Sequence, residues 1–383
     1  MRDGVARTEA PSPLLPGVEP AAFDGAYHRS IHRSLESAAV QSLRNATVVV
    51  AGASSGMGLD AALAFARRGA GLVLAARRRE ALDRAVRSCE AAGSPHAVAL
   101  PTDVTDPAQT RALAQAAVDR FGGIDVWVNM AGLAAIGPFE RIPIETQRRL
   151  IEVNLIGMMN GAHAALPDML RRGRGVIINM ASLAGRVPHP FAAAYSASKF
   201  GVAGFTDALR DELLARSAVQ VCGVYPGLVD TPIPLHAANY SGRKLRPVPP
   251  VLDPDYVAER IVDLALRPRR ALHLGLHHAT VPAYRLAPEV VGKAMGRLGA
   301  RFLLHSGPEA APTDGALFAP MPDTATMRIG WRALERRQAR QVALGVAAGI
   351  VGLAAFVFGG RAFGRGEALS RSASLRGQRE RLR

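Results

Sequence analysis

The chain has 383 residues, 49% of them hydrophobic, a formal net charge of +15 and a pI of about 11.0; the length suits one domain with extensions. Two unclustered cysteines, Cys89 and Cys222, exclude a disulfide framework and a cysteine-based metal site and suit a reducing interior. The charge is almost all arginine, with Lys199, Lys244 and Lys293 the only lysines, and no helix-turn-helix, zinc spacing or stacking platform accompanies it, so no nucleic-acid partner is expected.

Residues 1–43 are rich in Pro, Ala and scattered charge, without a basic-then-apolar leader after Met1, and read as a flexible arm with a short helix near 30–43. From Thr47 onward, strand-like segments at 47–52, 71–75, 96–100, 124–128, 175–180, 219–225 and 271–276 alternate with helix-like ones at 57–68, 79–92, 107–121, 144–171, 195–215 and 253–267. Such alternation predicts an α/β fold, a doubly wound parallel sheet of about seven strands with its ligand site at the carboxyl ends of the strands. Cys222 falls within a predicted strand and reads as a small core residue. The Pro-rich connection between Thr231 and Asp253 lacks periodicity and is expected to form a lid over the ligand.

Beyond the last strand, 277–340 reads as a basic extension, helical to Ser306, irregular over 307–327 and helical again from Arg328. Residues 341–360 carry no charge and lie between Arg340 and Arg361. Twenty helical residues span roughly 30 Å, the thickness of a hydrocarbon core. Nine of them are Val, Leu, Ile or Phe and contribute roughly −3 to −5 kcal/mol towards insertion. The stretch is therefore a candidate transmembrane helix, its flanks suiting acidic headgroups, and Gly345-x-x-x-Gly349 would let two copies approach closely. Residues 361–383 form an Arg- and Ser-rich tail, expected to be disordered.

Three patterns carry chemistry. The β-branched run from Thr47 leads into Gly52-Ala-Ser54-Ser55-Gly56-Met57-Gly58 and then an apolar-periodic helix. Glycines between a strand and a helix let backbone approach a pyrophosphate, with the helix N-terminus facing the anion. Tyr195 and Lys199 stand four apart, so on a helix they share a face. A neighbouring ammonium favours phenolate, and lowering a phenol by three units takes roughly 4 kcal/mol. The second strand ends in Ala76-Arg77, where an NAD-preferring site places a carboxylate for the ribose 2′-hydroxyl. Arginine there can pair with a 2′-phosphate.

Together, the glycine spacing and Tyr195-x-x-x-Lys199 resemble the short-chain dehydrogenase/reductase family, in its compact single-domain branch. Asn129-Met-Ala131-Gly132, Asn154, Ser182, Pro226-Gly227 and Thr231 follow in the family's order, over about residues 45–276. Ala51 replaces a usual Thr and Met130 a usual Asn, both loop-supporting positions. The resemblance implies a Rossmann-like catalytic domain over 44–276 and hydride transfer between nicotinamide and a carbonyl or hydroxyl group. It implies Tyr195 as general acid or base, Lys199 as its activator and a ribose contact, Ser182 on the substrate oxygen and Asn154 holding a proton-relay water. It also implies that Asp103-Val104 contacts adenine and Thr231 the carboxamide.

The segments 133–139, 183–191 and 228–235 are expected to wall the substrate pocket, mostly apolar apart from Arg186 and His189. The expectation is therefore an NADP-dependent enzyme for a hydrophobic small molecule, without a metal, able to form a homo-oligomer. It would be membrane-associated with a cytoplasmic catalytic domain, or cytoplasmic if 341–360 does not insert. Two alternatives stay open. One is a non-catalytic cofactor-binding scaffold or sensor, which would need none of Asn154, Ser182, Tyr195 and Lys199. The other is a sugar-nucleotide epimerase-like enzyme, whose relatives share Tyr-x-x-x-Lys but carry a different glycine spacing.

Overall fold

The computed structural model describes residues 42–321 and 328–332. Seven strands form one parallel sheet: β1 (Thr47–Ala51), β2 (Gly71–Ala76), β3 (Ala97–Pro101), β4 (Val126–Asn129), β6 (Val176–Met180), β7 (Gln220–Pro226) and β9 (Ala271–Leu274), ordered β3-β2-β1-β4-β6-β7-β9. β1 pairs with β2 from Thr47 opposite Gly71, and with β4 from Val48 opposite Val126. The chain winds outward from β1 to β3 and returns to β4 on the other side of β1. The crevice between the β1 and β4 ends is therefore the topological switch point.

Alternate residues of each strand enter different layers, the period-2 consequence of strand geometry. Val48, Val50, Leu72, Leu74, Val126 and Ile178 pack under α1 (Gly56–Ala66), α2 (Arg79–Ala91) and α8 (Pro254–Leu266). Val49, Val73, Trp127, Ile177 and Val221 pack under α3 (Pro107–Phe121) and α5 (Gly157–Arg172). Burial on both faces explains why the strands read as continuous apolar runs. Cys222 lies in this core, its thiol pushed up to about 12 by burial.

The stretch expected as one helix over 144–171 is two, α4 (Ile144–Ile151) and α5, joined by a π-helical turn over Glu152–Ile156. α6 (Ala193–Leu214) carries Tyr195 and Lys199. The Thr231–Asp253 connection forms the short α7 (Ile233–His236) and β8 (Ala238–Asn239), which pairs in parallel with β5 (Ala135–Ile136). After β9 come α9 (Thr280–Leu286), α10 (Pro288–Gly299) and a π-helical turn over Ala300–Leu304.

Residues 307–321 have no regular structure yet are fastened to the domain. Asn239 and Thr313 exchange backbone hydrogen bonds of 2.8 and 3.1 Å, and Lys244 N donates to Pro308 O at 2.9 Å. Leu317 is fully buried, in a small core with Leu133, Ala135, Ile142 and Leu150. Further on, Trp331 is buried while its backbone N donates to Asp230. Among the described residues no helix is long and apolar enough to cross a membrane. The candidate span 341–360, the tail 361–383 and, up to residue 41, the arm predicted over 1–43 lie outside the described residues.

Candidate active site

The glycine-rich turn brings β1 and α1 together so closely that side chains are excluded. A Cβ on Gly58 would sit 1.9 Å from the carbonyl oxygen of Gly52. Gly52 itself has φ +102°, and a Cβ there would lie 2.5 Å from Ala131 N. Ser55 precedes α1 without a side-chain capping bond, so its side chain does not cover the N–H groups that open the helix. Gly52, Ser54, Ser55, Gly56, Met57 and Gly58 all line a cavity. Bare backbone, a helix N-terminus and no intruding side chain fit a dinucleotide pyrophosphate.

At the outer end the cavity is lined by Ala76, Arg77, Arg78, Asp103 and Val104. Asp103 accepts from Thr105 N at 3.0 Å, from the Thr105 hydroxyl at 2.8 Å and from Arg149 Nη2 at 2.8 Å. Burial pulls this carboxyl upward, but those bonds outweigh it and hold it below the usual carboxylate range. Burial draws the Arg77 guanidinium below its ordinary value, partly offset by Asp103. Arg77 and Arg149 thus stand near one carboxylate, with Arg78 beside Arg77.

At the inner end the cavity reaches Met130, Ala131, Gly132 and Leu133. Asn129 lies just beneath this loop. Its side chain accepts from Trp127 Nε1 and donates to Asn179 Oδ1, each at 2.8 Å, so it supports the turn from below. Gly132 borders two further predicted residues: a Cβ on it would lie 3.3 Å from Asn154 Oδ1 and 3.4 Å from Lys199 Nζ.

Asn154 sits in the π-helical turn, fully buried, accepting from Leu133 N at 2.8 Å and donating to Leu133 O at 2.9 Å and to Ser198 Oγ at 3.0 Å. Ser198 Oγ donates to Tyr195 O at 2.7 Å. A hydrogen-bonded path therefore joins Asn154 to the helix turn bearing Tyr195. Ser198 stands inside the Tyr-x-x-x-Lys run, where its spacing gives no signal of its own.

Lys199 Nζ donates to Met180 O at 2.9 Å and lies 5.9 Å from the Tyr195 ring centroid. Burial lowers its ammonium to about 8. Ser182, just after the end of β6, stands close enough to the Tyr195 phenol to act on its acidity. That acidity departs from the sequence expectation of a phenol lowered by Lys199. Burial raises it above the ordinary value, opposed by Ser182. The reason is geometric: the ammonium is directed at the Met180 carbonyl, while the phenol lies in the Leu133, Ile142 and Leu317 layer, where an anion is poorly solvated.

The remaining predicted residues lie farther out. Pro226 ends β7, and Gly227, which follows it, donates from N to Leu274 O. Thr231 is buried beside Gly56, while Pro232, Ile233 and His236 line the cavity. Arg186 packs over the Tyr225 ring at 4.3 Å and pairs with Asp207 at 3.7 Å, so this expected polar exception in the substrate wall is held in a separate cluster. His189 is lowered to about 4 by burial and by His277, which leaves it neutral at pH 7. Among the described residues no group of His, Cys, Asp and Glu is placed to hold a metal ion.

The cavity wall also contains Ala316, Pro320 and Met321, which no periodicity or motif announced.

Comparison with known proteins agrees with this architecture. The chain is 30% identical over 278 residues to the uncharacterized oxidoreductase YxnA of Bacillus subtilis (strain 168), covering 72% of this chain and 77% of that one. It is 35% identical over 205 residues to dehydrogenase/reductase SDR family member 7B of Mus musculus, covering 53% of this chain and 63% of that one. It is 39% identical over 193 residues to 3beta-hydroxysteroid dehydrogenase 1 of Eggerthella lenta, covering 50% and 73%. A family model described as short chain dehydrogenase matches residues 46–238. With that match spanning the glycine turn, the switch point and the helix of Tyr195 and Lys199, the chain belongs to the short-chain dehydrogenase/reductase family and is an NAD(P)-dependent oxidoreductase.

Proposed function

We propose that the protein transfers hydride between NADPH, in preference to NADH, and a carbonyl or hydroxyl group of a hydrophobic small molecule. The observation that carries the catalytic assignment is the placement of Tyr195 one helical turn from the buried ammonium of Lys199, whose Nζ lies 5.9 Å from the phenol ring centroid. When bound, the nicotinamide supplies or accepts the hydride. In the reductive direction Ser182 donates a hydrogen bond to the substrate oxygen, and the Tyr195 hydroxyl gives its proton to the oxygen that becomes the alcohol. A donor already in place where negative charge develops lowers the barrier without reorganisation. Lys199, cationic below about pH 8, reduces the cost of the phenolate left behind and holds the nicotinamide ribose. Asn154 fixes the Leu133 turn against the start of α6 and so holds the proton path in register. In oxidation the same residues act in reverse.

Arg77, next to Ala76 where a carboxylate would favour NAD, supports the NADPH preference. Asp103 and Val104 are assigned to adenine, and Asn129, Ala131, Gly132, Pro226, Gly227 and Thr231 to the nicotinamide side. A hydrophobic substrate is supported by the apolar layer around Tyr195, formed by Leu133, Ile142, Leu150 and Leu317. The steroid named for the Eggerthella lenta relative points the same way. The catalytic domain is placed on the cytosolic face of a membrane by 341–360, supported by that stretch's charge-free length between Arg340 and Arg361. The test is a screen of hydrophobic ketones and aldehydes against NADPH, with Tyr195→Phe as control. Turnover by Tyr195→Phe at the wild-type rate would defeat the catalytic assignment.

A further inference from the structure

The segment Thr313–Met321 crosses the outer end of the cofactor cavity and binds the cluster of arginines there. Arg77 Nη1 donates to Leu317 O at 3.2 Å and Arg77 Nη2 donates to Ala316 O. Arg149 Nε donates to Leu317 O at 3.4 Å, and Arg78 Nη1 to Met321 O at 2.8 Å. These contacts are polar on the cavity side and apolar behind it, since Leu317 is fully buried in the layer that includes Tyr195.

Beside the backbone bonds of Thr313, side-chain hydrogen bonds fasten the segment at Asp314. Asp314 accepts from the Tyr240 hydroxyl at 2.8 Å and from the Thr146 hydroxyl at 2.6 Å. Just after it, Gly315 has φ +56°, and a Cβ there would lie 2.2 Å from His236 O. Only glycine lets the backbone pass so close to the end of α7. Ala316 N then donates to His236 O at 2.8 Å. A loose surface loop would show neither such an approach nor a buried leucine.

We infer that Thr313–Met321 is a built-in wall of the cofactor site, which retains the adenosine half of the dinucleotide and holds Arg77 and Arg78 in place for its 2′-phosphate, with Asp314 as the positioning residue that fastens it. The wall's carbonyls neutralise part of the guanidinium donor capacity and leave the rest over the cavity. A backbone carbonyl carries no net charge, so the cluster keeps its positive surplus. An arginine held at two donors has less freedom to lose when it binds an anion. The inference rests on the proposed assignment of the Arg77 end to the adenosine ribose.

The test measures dissociation rates of NADPH and NADH from the full-length protein by nicotinamide fluorescence, with no substrate present. Asp314→Ala is expected to release both dinucleotides about tenfold faster, the scale of one lost hydrogen bond to a charged group. Asp314→Asn keeps an acceptor oxygen and is expected to recover part of that loss. Tyr240→Phe removes one fastening bond from outside the segment and is expected to give an intermediate rate, which keeps the test decisive if Asp314→Ala fails to fold. In a background carrying both Arg77→Ala and Arg78→Ala, Asp314→Ala is expected to leave the NADPH to NADH ratio where the two arginine substitutions put it. Unchanged release from folded Asp314→Ala or Tyr240→Phe would overturn the wall. Slower release, or tighter binding, would overturn it too, by showing that the segment competes with the cofactor. Equal wild-type affinity for NADPH and NADH would defeat the 2′-phosphate assignment alone, because faster release of both dinucleotides would still establish the wall.

Discussion

Asn154 holds Leu133 by both of its backbone groups, accepting from the N–H at 2.8 Å and donating to the carbonyl at 2.9 Å. The side chain thus acts as a strand edge one residue long, pinning the β4 loop to the π-helical turn. Asn154→Ala leaves the two buried backbone groups of Leu133 unpartnered and removes the donor to the Ser198 hydroxyl, and is expected to cost about 2 kcal/mol of stability. Denaturant unfolding checks this. Turnover is expected to fall further than stability, because the same residue orders the helix turn of Tyr195.

Tyr195→Phe is expected to lower turnover by at least about a hundredfold while dinucleotide binding persists, because only the transferable proton is lost. Burial keeps the phenol protonated through neutral pH, so reduction is expected to be favoured there and alcohol oxidation to rise as pH increases. Initial rates in both directions from pH 6 to 10 check this. Lys199→Met is expected to weaken cofactor binding as well as turnover.

Arg77→Ala is expected to narrow the affinity gap between NADPH and NADH by up to about 1.5–3 kcal/mol, the range for a hydrogen bond to a charged group. Equilibrium titration with both cofactors measures it. Equal wild-type affinities would sink the preference.

Asp60, buried in α1, has its carboxyl raised from 3.8 to about 7 by burial and by Asp255, against the pull of Arg328. Between about pH 4 and 7 the folded state therefore binds the extra proton, and stability is lost as pH rises through that window. Asp60→Asn is expected to flatten this slope and to be more stable than wild type at pH 8, by about 2 kcal/mol. Thermal unfolding at pH 4, 6 and 8 tests it.

Full-length protein is expected in the membrane fraction, and protein ending at Arg340 in the soluble fraction with cofactor binding intact. A cut before Trp331 is expected to cost more, since Trp331 is buried and Asp230 accepts from its backbone N. Fractionation with and without detergent, salt and carbonate separates a spanning helix from headgroup binding through the Arg-rich flanks.

The sheet was legible because β1, β2 and β7 are buried on both faces and read as apolar runs between glycine-containing turns. The Gly52 and Gly58 spacing was legible because backbone contact there tolerates no side chain. The direction of the Tyr195 shift was not, because spacing fixes which face Lys199 occupies but not that its ammonium turns to Met180 O. The break between α4 and α5 was hidden because a π-helical turn preserves apolar periodicity on both sides. Residues 313–321 were hidden because they meet Arg77 and Arg78 through backbone carbonyls, which every sequence has in equal number.

The partners Arg77 and Leu317 are 240 residues apart in the chain, whereas neighbouring strands of the sheet meet over much shorter loops. Contacts of such separation form late, after the chain between them is ordered. During refolding, the protein is therefore expected to regain its far-ultraviolet circular dichroism before it regains slow dinucleotide release. An intermediate with a finished sheet and a leaky cofactor cleft would bind and lose nucleotide rapidly, so nucleotide added during refolding would stabilise the last step more than the first.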